Sequence, residues 1–355
     1  MHVLKNIPLA SYTSLGCGGP AEQLLVVKDT AELEAALHQY RDTQISIFGF
    51  GTNSLISDEG IKGTVIITKG GSIIEQGELI IADAGVWWDS LVEFSLAKKL
   101  WGIELTSGIP SSVGGAVVGN IAAYGQQVSS SLEWVDVFDL HTGESTRIAN
   151  EKIKFEYRAS SLQQTPHLVV LRAAFRLSPR STTDLDYASA LSIADELKLD
   201  THELEDRRAI ILEARKRAGS LYDPEDSSAV HTAGSFFKNP LVDVEQAKKI
   251  AAYDESGKSL ELLMKQNKIH GGSTARASAA HVLLAAGFHR GQSWGPVRLH
   301  PDHILKIENT GGATAQQIYD VAHIIIKQVK EMLDITLVPE VRFIGAFKTT
   351  PNEVK

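Results

Sequence analysis

The chain of 355 residues contains one cysteine, Cys17. A single cysteine excludes an intramolecular disulfide and any metal cluster held by several thiolates, so the sequence suits a reducing compartment. The simplest role for Cys17 is that of a small buried apolar side chain. No apolar run approaches the roughly 20 residues of a membrane-spanning helix, and the N-terminal residues lack the apolar stretch of a signal peptide. We therefore expect a soluble cytoplasmic protein that does not bind membranes.

Clustered positive charge is also scarce. The formal net charge is -8, and the lysines and arginines are dispersed, which excludes the basic footprint of a nucleic-acid-binding protein. The densest basic group lies on one predicted helix, where its C-terminal members oppose the negative end of the helix dipole. Binding of a diphosphate is the alternative role for this group, which consists of Arg207, Arg208, Arg215, Lys216 and Arg217.

Short apolar runs alternate with helical patterns from the start of the chain, which predicts a mixed architecture of helices and strands. A chain of this length exceeds the usual size of one hydrophobic core, so two or three domains are expected. The predicted helices include 31–40 and 88–99. The predicted strands are 24–27, 45–48, 64–67, 79–82, 132–140, 169–177 and 336–344.

The middle of the chain contains a polar, turn-rich segment at 182–200, and we place a domain boundary near the end of the helix that follows it. That helix is predicted to have Asp200 as its N-cap, with Glu203 three residues on, and to end at Gly219. Further along, Thr314 and Gln317 form a capping box for an amphipathic helix.

The predicted strand 336–344 carries two polar residues in alternation with two apolar ones. Because side chains alternate along a strand, Glu340 and Arg342 should share one face, while Val341 and Phe343 share the other. A solvated polar face is the usual alternative for one isolated strand.

Two glycine-rich loops offer donors to a phosphate. The first, 48–55, begins like a dinucleotide fingerprint, but Ser54 replaces the third glycine, so a Rossmann fold is weakly indicated. Its backbone N–H groups and the side chains of Thr52, Asn53 and Ser54 suit a pyrophosphate, although an ordinary glycine turn is the alternative. The second loop, 109–125, has small residues wherever a planar ligand would approach the backbone.

Three segments resemble signatures of the UDP-N-acetylenolpyruvoylglucosamine reductase (MurB) family. They are Ala-Gly-Ser-Phe-Phe-Lys-Asn-Pro at 233–240, Phe-Glu-Tyr-Arg-Ala-Ser at 155–160, and Pro-Glu-Val-Arg-Phe-Ile-Gly at 339–345. They occur in the family's order, and the resemblance extends from the N-terminal leader to Gly345.

The resemblance implies an α+β fold, in which an FAD-binding fold of the vanillyl-alcohol-oxidase type is followed by a C-terminal α+β substrate-binding domain. The expected domains are a first FAD-binding subdomain at 1–95, a second at 96–219, the substrate-binding domain at 220–345, and a tail at 346–355.

The resemblance also implies noncovalent FAD, with NADPH as co-substrate. The family enzyme reduces UDP-N-acetylglucosamine enolpyruvate to UDP-N-acetylmuramate for peptidoglycan precursor synthesis. By resemblance, FAD is held by Gly49, Gly51, Thr52, Asn53, Ser54, Ser111, Ser112, Gly114, Gly115 and Asn120.

Hydride addition to the enolpyruvyl group leaves negative charge that needs a stabiliser and a proton donor. Arg158 has the planar, permanently charged fork suited to a carboxylate, although a structural ion pair is its alternative role. By resemblance Ser235 donates the proton, and a protonated Glu340 shares the enediolate charge. The implied substrate-binding residues are Tyr124, Tyr187, Asn239, His303 and Arg342.

One departure concerns the diphosphate, because many relatives have a lysine where this chain has Ala218 or Ser220. Lys216 or Arg217 is the expected substitute. No metal is predicted, since nothing convincingly completes a ligand set with His300 and His303. Two competing functions are another FAD-linked dehydrogenase of the same fold and a non-catalytic binding protein for nucleotide sugars. We expect a monomer with a UDP-sugar substrate.

Overall fold

The computed structural model describes residues 2–222, 230–251, 253 and 275–348. No helix in these ranges is both long and apolar enough to span a membrane. Short 3-10 helices lie at Ala10–Tyr12, Glu104–Thr106, Asn150–Lys152 and Ser161–Gln164. The α-helices are α1 (Thr30–Tyr40), α2 (Trp88–Ala97), α3 (Val113–Gly119), α4 (Val128–Ser131), α5 (Ala188–Leu197), α6 (Leu204–Arg217), α7 (Val244–Ala251), α8 (Ala279–Ala285) and α9 (Ala315–Leu333).

The strands are mostly short and are spread along the described part of the chain. In order they are β1 (Val3–Pro8), β2 (Pro20–Val27), β3 (Ile45–Phe48), β4 (Ser54–Ile56), β5 (Ile61–Thr68), β6 (Ile73–Gln76), β7 (Leu79–Asp83), β8 (Ala122–Ala123), β9 (Gln126–Gln127), β10 (Leu132–Asp139), β11 (Glu144–Ala149), β12 (Phe155–Glu156), β13 (Ala159–Ser160), β14 (Leu168–Arg176), β15 (His231–Ser235), β16 (Leu241–Val242), β17 (Ala275–Arg276), β18 (Ser293–Trp294), β19 (Val297–Leu299), β20 (Lys306–Asn309) and β21 (Arg342–Ile344).

The chain divides into two compact units, and each is assembled from separate stretches of sequence. The first contains residues 1–7, 21–51 and 61–229, and the second contains residues 8–20, 52–60 and 230–355. The first glycine-rich loop is therefore divided between the two units. Gly49 and Gly51 belong to the first unit, and Thr52, Asn53 and Ser54 belong to the second. The finer division predicted from the sequence, into domains 1–95, 96–219 and 220–345, stays a prediction.

The first unit contains a mainly parallel sheet with the strand order β1-β2-β5-β3, in which β2 and β3 each pair parallel with β5. Helix α1 begins after Asp29, whose side chain accepts the N–H of Glu32 and so satisfies one unpaired donor of the first turn. The helix buries Leu33, Ala36 and Leu37 in an apolar cluster with residues of β2 and β5. The predicted helix at 31–40 is thereby confirmed.

A second sheet of the first unit is antiparallel, with the order β11-β10-β14-β7-β6. Its apolar residues pack against α2 and α3 around Trp88, which is fully buried and contacts Phe175 edge to face at 5.7 Å. The predicted strands at 132–140 and 169–177 correspond to β10 and β14. This packing fixes α3 and the glycine-rich loop that precedes it.

The polar segment at 182–200 differs from the sequence prediction, because it contains helix α5. Only Ala190, Ile193 and Ala194 of α5 are buried, and they pack with Ile210 and Ile211 of α6. Helix α6 begins at Leu204 with Glu203 as its N-cap, so the predicted N-cap Asp200 is wrong. The Asp200 carboxylate instead accepts the N–H of His202 at 2.8 Å, which closes a local turn before the helix.

The second unit contains the antiparallel sheet β15-β20-β19-β18 and the amphipathic helix α9. The predicted capping box is confirmed, since the Thr314 side chain accepts the Gln317 N–H and the Gln317 side chain accepts the Thr314 N–H. The helix buries one apolar stripe in the core of this unit. That stripe consists of Ile318, Val321, Ala322, Ile325, Val329 and Leu333.

The predicted strand 336–344 is shorter in the structure, because β21 covers only Arg342–Ile344. Before it, the chain runs beside residues 236–238, with an isolated bridge between Phe237 and Pro339. Pro339 has no N–H and cannot donate to a continuous ladder. Strand β21 then pairs parallel with β4.

Candidate active site

The two glycine-rich loops meet in the first unit at Gly49 and Ser112. A Cβ on Gly49 would lie 2.3 Å from Ser112 Oγ, so only glycine permits this approach. A Cβ on Gly115 would lie 3.1 Å from Ser111 Oγ and 3.2 Å from Ser112 Oγ. Ser112 is also the N-cap of α3, and its hydroxyl accepts the Gly115 N–H at 3.1 Å. The result is a patch of bare backbone beside two hydroxyls.

The other glycines of these loops shape the backbone. Gly51 has φ +63°, a left-handed conformation that favours glycine. Gly114 lies against Ala84, since a Cβ there would be 2.9 Å from the Ala84 Cβ, and its N–H donates to the Ala84 carbonyl at 2.9 Å. Both positions therefore have a local steric reason to be glycine.

Asn120 ends α3 in a left-handed conformation, and its side chain is only 2% exposed. Its Nδ2 donates to the Glu156 carbonyl at 3.0 Å, and its Oδ1 accepts the Ser129 N–H at 3.1 Å. Asn120 thus joins the glycine-rich loop to the hairpin formed by β12 and β13. Its direct contact with FAD stays a prediction.

Tyr124 and Arg158 occupy the tips of two hairpins in conformations that L-residues rarely adopt. Tyr124 has φ +48° and is followed by Gly125 with φ +89°, which matches the tight turn that joins β8 to β9. Arg158 has φ +53° in the turn between β12 and β13. Strain of this kind is concentrated at functional sites, where a specific side chain is needed.

These two tips belong to a cluster of aromatic rings and guanidinium groups. Arg158 donates through Nη1 to the Ala122 carbonyl at 2.7 Å. The rings of Tyr124 and Tyr187 meet edge to face at 5.3 Å. Tyr187 is 47% exposed at the surface of this cluster. Three of the predicted site residues, Arg158, Tyr124 and Tyr187, are therefore brought together.

The electrostatics of this cluster favour an anionic ligand. Burial raises the pKa of the Tyr124 phenol, while the nearby Arg215 opposes that rise. Burial also raises the pKa of Tyr187, and Arg158 opposes it. Burial lowers the pKa of Arg215, and repulsion from Arg158 contributes to that lowering. The phenols remain neutral hydrogen-bond donors at neutral pH, next to two positive charges.

The C-terminal half of the first glycine-rich loop lies beside Glu340 in the second unit. Asn53 Nδ2 donates to the Glu340 carbonyl at 3.1 Å, and the Arg342 N–H donates to the Asn53 carbonyl at 3.0 Å. Ser54 is buried at the start of β4, directly opposite Arg342 in the strand register. The carbonyl of Thr52 accepts the Ser14 hydroxyl at 3.3 Å. Predicted cofactor residues and a predicted catalytic residue thus share one backbone network.

Ser235 lies at the end of β15, where the strand is irregular. The register between β15 and β20 shifts between Thr232 and Ser235, and Gly234 in this shift has φ +75°. Such bulges redirect a side chain and are frequent near active sites. Ser235 is half-buried, while the two residues that follow it, Phe236 and Phe237, are 0% and 2% exposed and anchor the strand end.

Lys306 was not singled out by the sequence analysis, although it lies directly opposite Ser235 in the register of β15 and β20. Its side chain is 1% exposed. Opposite residues on antiparallel strands have side chains on the same face, so a buried lysine stands next to the predicted proton donor. The available signal was a lysine inside an apolar strand pattern, Ile-Leu-Lys-Ile.

His303 and Asn239 lie on other turns of the second unit. Burial, followed by repulsion from Lys306, lowers the pKa of His303 to about 4. Within the described residues, the buried His303 Nδ1 has no hydrogen-bond partner. Asn239 Oδ1 accepts the Ala279 N–H at 2.9 Å at the start of α8, which fixes the orientation of the amide whose Nδ2 can donate to a substrate. Arg342 is exposed.

The basic residues of α6 differ in their partners, because some are paired with carboxylates and others are not. Arg207 is buried and donates to Glu104, while Arg208 forms a two-pronged pair with Asp89. Arg217 is held by Glu196 and Glu213. Lys216 is exposed, whereas Arg215, in the cluster with Tyr124 and Arg158, donates through Nε to the Gly108 carbonyl at 3.0 Å and through Nη2 to the Ser220 carbonyl at 2.9 Å. The predicted diphosphate segment also includes Asp223 and Pro224, which lie outside the described residues.

Comparisons with known proteins decide between the competing functions. A family model described as an FAD binding domain matches residues 21–149, and one described as the C-terminal domain of UDP-N-acetylenolpyruvoylglucosamine reductase matches residues 223–344. The reductase of Thermobifida fusca is 32% identical over 352 residues, which cover 96% of this chain and 98% of that protein. The chain belongs to the UDP-N-acetylenolpyruvoylglucosamine reductase (MurB) family. The reductase of Streptomyces coelicolor is also 32% identical and covers 96% of this MurB-family chain and 90% of its own length.

A solved structure agrees with this assignment. The crystal structure of MurB from Thermus caldophilus has a TM-score of 0.66 and 26% sequence identity, and the match covers 97% of this chain and 100% of that one. The predicted MurB family, FAD-binding α+β fold, FAD cofactor and oxidoreductase class are confirmed.

The buried state of Cys17 is confirmed as well, and burial raises the pKa of its thiol to about 12.

Proposed function

We propose that this MurB-family protein reduces UDP-N-acetylglucosamine enolpyruvate to UDP-N-acetylmuramate, with NADPH as reductant, in peptidoglycan precursor synthesis. The observation that carries the proposal is the match to MurB enzymes along 96% of the chain. The residues to which the resemblance assigns catalysis, Arg158, Ser235 and Glu340, are all present in the sequence. We also propose a cytoplasmic location, since NADPH and nucleotide sugars are intracellular metabolites. A monomeric state stays a prediction.

The residues present fit an FAD pyrophosphate. Gly49 and Gly115 leave backbone uncovered next to the hydroxyls of Ser111 and Ser112. Backbone N–H groups and hydroxyls of this kind suit an anionic diphosphate. In the second unit, the Asn53 carbonyl accepts the Arg342 N–H, and Asn53 Nδ2 donates to the Glu340 carbonyl. These two hydrogen bonds fix the backbone of the loop that includes Thr52. We propose that the remaining contacts come from Gly51, Ser54, Gly114 and Asn120.

The chemistry that bound FAD would supply is hydride transfer from NADPH to the enolpyruvyl group. Arg158 would hold the substrate carboxylate, where its charge opposes the negative charge that develops. Ser235 would donate its hydroxyl proton to the carbon next to that carboxylate. Glu340 would share the enediolate charge as a neutral acid, which requires a raised pKa.

The substrate contacts follow from the chemistry of the cluster around Tyr124. Tyr124 and Tyr187 would donate phenolic hydrogen bonds to the diphosphate half, and Arg215 would supply positive charge. Asn239, His303 and Arg342 would bind the sugar or the carboxylate. A neutral His303 at physiological pH can donate or accept one hydrogen bond without adding charge.

The experiment that tests the mechanism separates the two half-reactions by stopped-flow absorbance of the flavin. Flavin reduction by NADPH needs no proton at the substrate carbon, so Ser235→Ala should leave its rate near that of the wild type. Reoxidation by the enolpyruvyl substrate should slow by roughly 10²–10⁴-fold, the range for a positioned general acid.

Ser293→Ala is the matched control, because Ser293 is an exposed serine of the same sheet. It should change neither half-reaction. Equal slowing of both half-reactions in Ser235→Ala would mean that Ser235 shapes the pocket and does not donate the proton. A protein that carries FAD but never reoxidises with this substrate would instead favour another FAD-linked dehydrogenase of the same fold.

A further inference from the structure

Two histidines and one aspartate from separate parts of the first unit come together at the end of the antiparallel sheet. Asp139 ends β10, His141 lies in the turn toward β11, and His167 directly precedes β14. One potential ligand atom from each residue lies within 4.8 Å of the other two. None of the three belongs to the predicted cofactor or substrate residues.

The backbone around this cluster is held by the sheet. Asp139 is opposite Leu168 in the register of β10 and β14, and the Leu140 N–H donates to the His167 carbonyl at 2.9 Å. The His141 N–H donates to Asp139 Oδ1 at 2.8 Å. The three residues therefore have fixed backbone positions. Because the His141 N–H holds Oδ1 of Asp139, the orientation of the whole carboxylate is fixed, including its second oxygen, Oδ2.

The two imidazole rings are stacked. Their centroids are 4.3 Å apart, with an angle of 11° between the ring planes. His141 is exposed, while His167 and Asp139 are half-buried, so the His141 ring is the one with room to turn. Tetrahedral Zn²⁺ with nitrogen ligands at about 2.0–2.1 Å needs ligand atoms about 3.3 Å apart and lies close to the plane of each imidazole ring, so binding requires the His141 ring to turn out of the stack.

We propose that Asp139, His141 and His167 form a binding site for a divalent transition-metal ion of the Zn²⁺ type, with water completing the coordination. Two imidazole nitrogens and one carboxylate oxygen are ligands that Zn²⁺, Ni²⁺ and Cu²⁺ prefer, whereas Mg²⁺ and Ca²⁺ prefer oxygen alone. Only His300 and His303 were considered as metal ligands in the sequence, because the sequence does not reveal that His141 and His167 are neighbours.

The neighbouring charges set the expected strength of the site. Arg41 donates through Nη1 to the Thr142 carbonyl at 3.1 Å and places a cation beside the turn. The positive charge of Arg41 repels a bound cation. Because the site offers only three protein ligands and is open to solvent at His141, a bound ion could exchange with ions in solution. We therefore assign the site to micromolar, exchangeable binding. A bound ion would connect the turn between β10 and β11 to the start of β14.

The test is a titration of the full-length, FAD-loaded protein with Zn²⁺ by calorimetry, repeated with Co²⁺ to record its visible absorbance. The wild type should bind one equivalent at this site with micromolar affinity. His141→Ala and His167→Ala should each weaken that binding by roughly tenfold or more. Asp139→Asn keeps an oxygen acceptor for the His141 N–H but removes the charge, and should also weaken binding.

His202→Ala is the matched control, because His202 is an exposed histidine of the same unit. It should leave the stoichiometry and affinity unchanged. Thermal unfolding followed by circular dichroism checks that each variant is folded. The proposal is overturned if the wild type shows no micromolar equivalent, or if the double variant His141→Ala and His167→Ala binds Zn²⁺ as the wild type does. Neither outcome depends on reductase activity.

Discussion

Asn120, Tyr124 and Arg158 each hold a left-handed backbone that costs an L-residue about 1–3 kcal/mol. Glycine would avoid this cost, so we expect the side chains at these positions to have a role. Asn120 connects two loops through hydrogen bonds. Tyr124 and Arg158 place a phenol and a guanidinium at the tips of two hairpins. The sequence shows which side chains are present, but it does not show the strained conformation. Tyr and Arg are residue types that do not indicate a positive φ. That part of the site required the structure.

Burial of a neutral histidine predicts a pH-dependent stability. The pKa of His303 is lowered to about 4 in the folded protein, whereas a histidine in an unfolded chain titrates near 6.5. The unfolded state therefore binds more protons between these values, and stability falls as the pH drops from about 6.5 to about 4. The expected loss is about 2.4 kcal/mol in the free energy of unfolding between pH 7 and pH 4.5, measured with urea at both values.

His303→Gln should reduce this pH dependence, because glutamine does not titrate. His202→Gln removes an exposed histidine and should leave the slope of stability against pH unchanged. If His303→Gln retains the full slope, other groups account for it. Lys306→Met should raise the pKa of His303, measured by NMR titration, since repulsion from Lys306 contributes to its lowering.

At the scale of helices and strands, the sequence predicted those elements whose apolar pattern is regular. Helices α1, α2 and α9 and the central strands were found because their buried residues recur at the helical or strand period. Helix α5 was missed because it buries few residues, and its stability comes from packing against α6. The strand around Glu340 was predicted too long, because Pro339 interrupts a segment that remains extended. Tertiary contacts, which the sequence does not show, decided both cases.

The last turn of α6 predicts which cation serves the diphosphate. Arg217 is committed to Glu196 and Glu213, whereas Arg215 donates to the uncharged carbonyls of Gly108 and Ser220 and lies near Tyr124. Arg215→Met should therefore raise the KM for the UDP-sugar substrate by roughly tenfold, the loss of one charged phosphate contact. Arg217→Met should change KM little, since its exposed pairs contribute less than about 1 kcal/mol to stability.

Steady-state kinetics at saturating NADPH measure both variants. A sharp rise in KM for Arg217→Met, with Arg215→Met near the wild type, would reverse the assignment. Lys216→Met completes the set, because Lys216 is exposed on the same turn and was predicted as a substitute for the family lysine. Retention of the wild-type KM in all three variants would place the diphosphate cation elsewhere.

For the molecule as a whole, we predict a yellow protein that releases intact FAD on denaturation. Gly115→Ala should weaken FAD binding, because the added Cβ would lie 3.1 Å from the Ser111 hydroxyl oxygen, within the proposed pyrophosphate cradle. Gly119→Ala is the control, since its Cβ would lie 3.9 Å from Ile121 Cγ2, an ordinary van der Waals distance. Fluorescence titration of the FAD-free protein measures both affinities. Flavin that stays with the denatured chain, or release of FMN, would contradict noncovalent FAD.

The parallel pairing of β21 with β4 affects how the protein is made. Asn53 and Glu340 are 287 residues apart in the chain. A ribosome adds about 5–20 residues per second, so the segment that contains Thr52, Asn53 and Ser54 waits roughly 15–60 s after its synthesis for the strand that fixes it. During this interval the edge of β4 lacks the strand that pairs with it in the folded protein. Only a nascent chain extended through Ile344 can close that edge, so the synthesis of β21 limits when this part of the enzyme becomes competent.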